Sequence, residues 1–240
     1  QSSLRFNVLY MGSSSLPPDW AEAVWLARKK GARILWNQNG VGYPAWAPEH
    51  WSLVNEPMKE LLHEADYVLY QSRFCKLSAD EYLGERKRGW EILYNAVDTK
   101  AFHPNPPRDT RDSLIVLHAG SVEALYRFRA VALTLAELLR RGLDVKMIVA
   151  GRLRWSPDPA TSLQEAGDII NELGIRQRMI LLPPYSRSEA PSVFRKAHML
   201  LHTKVYDPCP KVVLEAMASG LPVVYSRDGG LPELVGEDAG

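Results

Sequence analysis

Short apolar runs alternate with stretches of helical periodicity along most of this 240-residue chain. In the first part the runs fall at 6–11, 33–36, 67–70 and 91–94. Segments 19–30, 51–64 and 73–83 lie between them and have helical character. Asp19 suits the first helix entrance and Gly31 its stop. Strand–helix alternation of this kind predicts a parallel α/β architecture. The alternation breaks at His103-Pro-Asn-Pro-Pro-Arg-Asp-Thr110, where Pro and polar residues predict a linker. It restarts with strands expected at 114–117, 145–150, 179–182, 199–202 and 223–225. After the first of these, Phe128, Val131, Ala132, Leu135, Leu138 and Leu139 recur on one helical face, and the helix closes at Gly142. Ser186-Arg-Ser-Glu189 has capping-box spacing ahead of another short helix. The expected organisation is a first domain over 1–103, a linker over 104–110 and a second domain over 111–240. The second reads as a nearly complete doubly wound domain. The first reads as incomplete.

Composition narrows the partners. The chain carries 29 Lys+Arg against 28 Asp+Glu, a formal net charge of +1. Such a balance gives no global field for nucleic acid or for a strongly acidic partner. Only Cys75 and Cys209 are present, which makes neither a disulfide framework nor a zinc site and favours a reducing cytosol. No run reaches the ~18 apolar residues of a membrane span, and no signal-peptide pattern opens the chain. No basic amphipathic helix supports peripheral membrane contact.

The chemistry concentrates in Asp207-Pro-Cys-Pro-Lys-Val-Val-Leu-Glu215-Ala-Met-Ala-Ser-Gly220-Leu-Pro222-Val-Val. Pro208 and Pro210 suit a helix entrance, Gly220 its end, and Pro222 blocks continuation. The first turn then presents unpaired N–H groups with partial positive charge, those of Lys211 and Val212, and this is a seat for phosphate. At ~1.5 Å rise per residue the two carboxylates lie roughly 12 Å apart along the axis. That spacing suits a ligand with hydroxyls at both ends and a diphosphate between them, which describes a nucleotide sugar. Two bland alternatives stand beside this reading. Asp207 also fits a plain helix N-cap, and Glu215 an exposed helix glutamate.

This stretch resembles the donor-site signature of the retaining glycosyltransferases of family 4 (glycosyl transferases group 1): Glu, seven residues, Glu, then Ala-Met-Ala-Ser/Cys-Gly-x-Pro-Val-Val. Asp207 stands for the first Glu and Glu215 for the second. Gly229-Gly230-Leu-Pro232-Glu233 resembles the continuation. Ala65-Asp66-Tyr-Val-Leu-Tyr-Gln-Ser72 resembles a late strand of the family's N-terminal domain. Tyr94-Asn95-Ala96-Val97-Asp98 through Phe102-His-Pro104 resembles its domain-linking motif. The pieces occur in the family's order.

The resemblance implies a GT-B-like fold of two Rossmann-like parallel-sheet domains. The N-terminal, acceptor-side domain would be incomplete, and the C-terminal one would lack its last strand and helix, as in a fragment or a short relative. It implies a nucleotide-sugar donor, an acceptor hydroxyl of unknown identity, retention of configuration, no metal and no cofactor. Glu215 would accept bonds from the ribose hydroxyls. Asp207 would contact the transferred sugar. Gly120 and Ser121 end the first strand of the second domain, where the family follows Gly with Arg. Ser121 replaces that Arg, and Arg127 falls near the family's Lys. Arg152, after Gly151, is a second candidate cation or a surface arginine. Tyr185 could stack on a base or be an ordinary half-buried tyrosine. In Trp36-Asn37-Gln38-Asn39-Gly40, Asn39 stands where the family places a His. It can hydrogen-bond a hydroxyl but cannot serve as acid or base near neutral pH. Tyr43 and Trp46 read either as an acceptor-sugar platform or as a turn packed by aromatics. Cys209 reads as a packed thiol, and His198 and His202 as strand residues of structural role. The expected function is therefore a cytoplasmic hexosyltransferase. A non-catalytic nucleotide-sugar-binding module is the alternative, and a sugar-nucleotide epimerase ranks last.

Overall fold

The structure, a computed structural model, describes residues 5–46, 48–104 and 113–236. These fall into two compact units. The first takes the described residues up to Asn95 and adds Tyr206–Cys209 and Asp228–Leu234. The second takes the rest from Ala96 onward.

The first unit is built on a four-stranded parallel sheet in the order β1 (Val8–Gly12), β2 (Arg33–Gln38), β3 (Tyr67–Tyr70), β4 (Trp90–Ile92). Helices α1 (Trp20–Lys29), α2 (Trp51–Glu64) and α3 (Arg73–Tyr82) form the crossovers. Trp36, Ile34, Leu61, Leu62, Val68 and Tyr70 are fully buried between sheet and helices. Burying side chains of this size supplies roughly 1.5–3 kcal/mol each, and that drives the layers together. Asp19 sits at the α1 entrance as expected, although its side chain makes no capping bond. Helix α3 is better capped. Ser72 Oγ accepts the Cys75 N–H at 3.0 Å, and Glu233 Oε1 accepts the Arg73 N–H at 2.7 Å. The first and last strands are shifted slightly from 6–11 and 91–94. At the margin of the last strand Leu93 and Tyr94 are exposed, and the Leu93 N–H still donates to the Tyr70 carbonyl of β3 at 2.8 Å.

The second unit carries a five-stranded parallel sheet in the order β7-β6-β5-β8-β9, where β5 is Leu114–Ala119, β6 Val145–Ala150, β7 Met179–Leu182, β8 Met199–His202 and β9 Val223–Tyr225. Helices α4 (Leu125–Arg140), α5 (Pro159–Glu172), α6 (Ala190–Phe194) and α7 (Lys211–Ala218) connect them. Phe128, Val131, Ala132 and Leu135 of α4 are buried, as their spacing predicts. Helix α5 had no counterpart in the sequence reading. Its signal is Asp158-Pro159: the Asp158 carboxylate accepts the Ala160 and Thr161 N–H groups, and Pro159 takes the first turn. Glu189 reaches back to the Ser186 N–H at 2.7 Å, which is half of the expected capping box.

Residues 96–104 pack with the second unit and not the first. Phe102 stands edge-on to Phe194 of α6 at 5.6 Å, and Pro104 lies against Gly220. The unit division therefore comes earlier than the 103/104 position read from composition, because the Pro-rich stretch is preceded by an anchored aromatic. Of the expected linker, 105–110 lies outside the described residues. A short helix α8 (Leu231–Val235) follows β9 in the chain.

Candidate functional site

Strands β5 and β8 are neighbours in the second sheet, and the strand order reverses between them. Doubly wound sheets bind ligands outside the carboxyl ends of their strands at such a switch point. Here the chain leaves β5 through Gly120, with φ +93°. It leaves β6 through Gly151, with φ +136°. A Cβ on residue 151 would lie 2.3 Å from the Gly120 carbonyl oxygen. Only glycine allows the two loops to press together this closely. A Cβ on Gly120 would lie 3.4 Å from Val212 Cγ1, so the first turn of α7 borders the same spot.

Helix α7 begins after Pro210, which has no side chain able to cap it. The Lys211 and Val212 N–H groups have no acceptor among the described residues, while Val213 and Leu214 bond the Pro210 carbonyl. The helix ends as its sequence predicts. Gly220 has φ +73°, its N–H bonds the Met217 carbonyl, and the Leu221 N–H bonds the Ala216 carbonyl. Val213 and Ala216 anchor the inner face.

One helical turn on from Lys211 stands Glu215, half-buried and without a side-chain hydrogen bond among the described residues. Burial raises its carboxyl above the ordinary value, against the pull of Lys211 and Arg187. Tyr185, from the loop after β7, is pushed up to about 12 by burial and by the Glu215 charge, and its hydroxyl meets the Gly120 backbone. Gly120, Gly151, Tyr185, Lys211, Val212 and Glu215 are thus brought to one place. The arrangement offers amide donors and a helix N-terminus to an anion, with a carboxylate acceptor for adjacent hydroxyls. Arg187 belongs to this group by its effect on Glu215, and sequence reasoning missed it. Its signal was the Tyr185-Ser-Arg187 loop at a carboxyl strand end.

Arg152 is exposed and lines an apolar cleft of about 710 Å³ with Leu153, Leu163, Leu181, Pro183 and Pro184. Arg127, the residue that falls near the family's Lys, is buried. Its side chain is 6% exposed, and Nη1 donates to the Ser121 carbonyl at 2.9 Å. It braces the Gly120-Ser121 loop from beneath. Beside it, His118 of β5 is fully buried. Its Nδ1 is bonded to the Leu201 carbonyl at 2.8 Å, and its Nε2 has no partner.

The remaining candidates belong to the first unit. Asn39 Oδ1 accepts from Ser13 Oγ at 2.5 Å and from the Ser14 N–H at 3.0 Å, and Nδ2 donates to Ser14 Oγ at 2.8 Å. Its amide ties down the 13–15 turn. Gln38 explains the polar triplet: it is fully buried, accepts from Trp36 Nε1 at 2.7 Å and donates to the Gly40 carbonyl at 2.5 Å. Tyr43 is 2% exposed, its ring enclosed by Trp46, Phe74, Tyr82 and Tyr206. It is a core residue with no face open to a sugar, and of the expected platform only Trp46 reaches solvent. Asp207 is half-buried, in a loop whose backbone is gripped on both sides. Among the described residues no group of three or more His, Cys, Asp or Glu could hold a metal, and no helix is long and apolar enough to cross a membrane.

Residues 100–240 match the family model described as Glycosyl transferases group 1. Among curated proteins, the D-inositol 3-phosphate glycosyltransferase of Mycobacterium marinum is 29% identical over 152 residues, covering 60% of this chain and 31% of that protein. The enzyme of the same name from Mycobacterium sp. (strain JLS) is 30% identical over 156 residues, covering 60% and 33%. The chain spans about a third of the length of these relatives. Among solved structures, Anabaena Alr3699/HepE in complex with UDP-glucose superposes with a TM-score of 0.77 at 18% identity, over 96% of this chain and 62% of that one. Sucrose-phosphate synthase of Thermosynechococcus elongatus gives 0.74 at 20% identity, over 96% and 58%. These likenesses show the fold, GT-B.

Proposed function

The chain belongs to the glycosyl transferases group 1, and from that premise we propose that it moves a sugar from a nucleoside diphosphate to an acceptor hydroxyl with retention of configuration. The observation that carries this reading is the convergence of the Lys211 and Val212 amides, the Gly120–Gly151 approach, Tyr185 and the unpartnered Glu215 carboxylate. The Alr3699/HepE neighbour was solved with UDP-glucose and with UDP, which supports the same class of donor here.

In this proposal the diphosphate lies against the α7 entrance, and Glu215 accepts the two ribose hydroxyls. The base takes the apolar cleft beside Pro183 and Pro184, with Tyr185 at its margin. Asp207 contacts hydroxyls of the transferred sugar. The acceptor oxygen attacks the anomeric carbon on the face from which the diphosphate leaves. The carbon–oxygen bond to phosphate breaks as the new one forms, and the acceptor proton passes to the leaving phosphate oxygen. The protein positions the partners and stabilises the developing phosphate charge through amides, helix dipole and the Arg152 guanidinium. Arg127 contributes by holding the Ser121 carbonyl, so that the loop keeps its shape. No metal enters this scheme. The two free thiols, Cys75 and Cys209, fit a cytosolic setting.

Calorimetry with UDP, GDP and ADP tests the site. One of them should bind, and Glu215→Ala should weaken it at least tenfold, since a hydrogen bond to a charged group contributes ~1.5–3 kcal/mol. Unchanged affinity in that variant would remove the assignment. A non-catalytic binding module is the second reading, favoured by the local engagement of Arg127 and Asn39. It predicts nucleotide binding without release of free sugar or glycoside, and sustained product formation would eliminate it.

A further inference from the structure

We propose that Asn95 is a positioning residue that sets the Asp207 carboxylate, acting through the backbone of the loop that carries it. The proposal rests on the reading of Asp207 as the contact to the transferred sugar.

Tyr206–Cys209 is irregular backbone held from three directions. Tyr206 has φ 55°, the one positive value outside glycine among the described residues. An aromatic residue in the left-handed region costs roughly 1–2 kcal/mol and persists only where its surroundings over-determine it. Its ring stacks on Tyr43 at 5.4 Å and an interplanar angle of 16°. On the second side, the Gly230 N–H donates to the Asp207 carbonyl at 2.9 Å. A Cβ on Gly230 would lie 2.0 Å from the Pro208 carbonyl oxygen. On the third side stands Asn95. Its Nδ2 donates to the Cys209 carbonyl at 2.6 Å and to Gln71 Oε1 at 3.1 Å, and its backbone N–H points at Cys209 Sγ at 3.3 Å.

Both Asn95 side-chain protons are thus engaged, one on the loop and one on a residue just after β3. Along the chain the Asp207 carboxylate stands between the Tyr206 stack and the Asn95 clamp. Backbone strain immediately before a carboxylate, with separate clamps before and behind it, is the arrangement expected where one group must be held to a fraction of an ångström. A plain structural loop needs none of this.

The test uses three ligand pairs on the full chain: UDP and UDP-glucose, GDP and GDP-mannose, ADP and ADP-glucose. The quantity read is the ratio of Kd for the sugar nucleotide to Kd for its bare diphosphate. Asn95→Ala should raise that ratio at least fivefold for the pair that binds, with the bare diphosphate within twofold of the parent. Asp207→Ala should raise it as well, and Asn95→Ala/Asp207→Ala should be no worse than Asp207→Ala alone, because Asn95 acts through Asp207. A merely structural role would weaken both ligands together or add to the Asp207 effect, and either result overturns the proposal. So does an unchanged ratio in Asn95→Ala while Asp207→Ala responds, which leaves the donor-site reading standing. An unchanged ratio in Asp207→Ala, or no binding of any pair, overturns the reading beneath it and the proposal together. Asn95→Asp, which removes the donor and sets a carboxylate against two oxygens, should match or exceed Asn95→Ala. Milder behaviour than Asn95→Ala would count against the hydrogen bond to Cys209.

Discussion

The carbonyl oxygen of Gly120 lies 2.3 Å from where a Cβ on residue 151 would stand. Two loops at the carboxyl end of the second sheet therefore meet backbone to backbone. Gly120 N–H to the Ala150 carbonyl, at 2.9 Å, and Val122 N–H to the Arg152 carbonyl, at 2.8 Å, tie them on either side of that contact. Gly151→Ala cannot be accommodated by a rotamer change, because the obstacle is backbone and φ is +136°. The expected outcome is a loss of several kcal/mol of stability, or a displaced Gly120 loop, on the order of the upper range for strained backbone. Urea unfolding reads the first. A nucleotide Kd raised more than tenfold reads the second. A variant with parent stability and affinity would mean that the loops do not touch.

Glu215→Gln should separate binding from stability. Burial raises the folded-state pKa of this carboxyl, so the folded chain holds the proton more tightly than the unfolded chain does. An acid shifted in that direction makes the fold more stable as pH falls, and the ionised form opposes folding at neutral pH. A neutral amide removes that opposition. The variant is expected to melt at or above the parent temperature at pH 7 while binding nucleotide roughly tenfold to a hundredfold more weakly, the effect of losing a charged acceptor. Differential scanning fluorimetry with calorimetry checks both. A lower melting temperature together with parent affinity would contradict the placement of Glu215.

Legibility in the sequence followed the range of the interaction. Lys211, Glu215 and Gly220 were readable because helix entrances, i,i+4 faces and left-handed stops are local. The β5–α4 and β6 loops were readable for a similar reason, since glycines after buried strands mark close approach. Tyr43 and Arg127 were not. Whether a tyrosine lies on the surface or inside depends on neighbours far along the chain, here Tyr206, while the inward turn of Arg127 onto the Ser121 carbonyl, six residues earlier, leaves no mark on the apolar pattern of its helix. Asn39 looked free because its partners, Ser13 and Ser14, lie 25 or 26 residues earlier. Asn95 was noticed only as part of a motif, since its bond to Cys209 spans 114 residues. Nothing about tyrosine announces the left-handed Tyr206.

Gln38 is a test of the polar triplet. Its side chain is completely buried and satisfies Trp36 Nε1 and the Gly40 carbonyl, while its backbone carbonyl accepts the Cys75 thiol at 2.9 Å. Gln38→Leu keeps the volume, orphans the buried Trp36 Nε1–H at a cost of ~1–3 kcal/mol, and leaves the Gly40 carbonyl with its bond from Ser13 Oγ at 3.2 Å. The expected loss is roughly 1–3 kcal/mol by chemical denaturation. Gln38→Glu should be as damaging, because a carboxylate cannot donate to the Gly40 carbonyl. A loss under 1 kcal/mol in both would show that the triplet is not a fastener.

His118 predicts the acid limb of the stability profile. It is fully buried, and burial first, then the Arg127 charge and His202, push its pKa from the ordinary 6.5 down to about 3. The unfolded chain therefore takes up a proton on this side chain below pH 6.5, while the folded chain stays neutral until about pH 3. Stability falls with pH across that window by up to about 1.4 kcal/mol per pH unit. His118→Asn can keep the donor to the Leu201 carbonyl and removes both the titration and the unpartnered Nε2. Unfolding free energies of parent and variant, measured from pH 7 to pH 4.5, should converge or cross as pH falls, with the parent curve steeper by one proton. Parallel curves would show that His118 is protonated in the folded chain, and the tight packing of β5 against β8 at the switch point would then have to be revised.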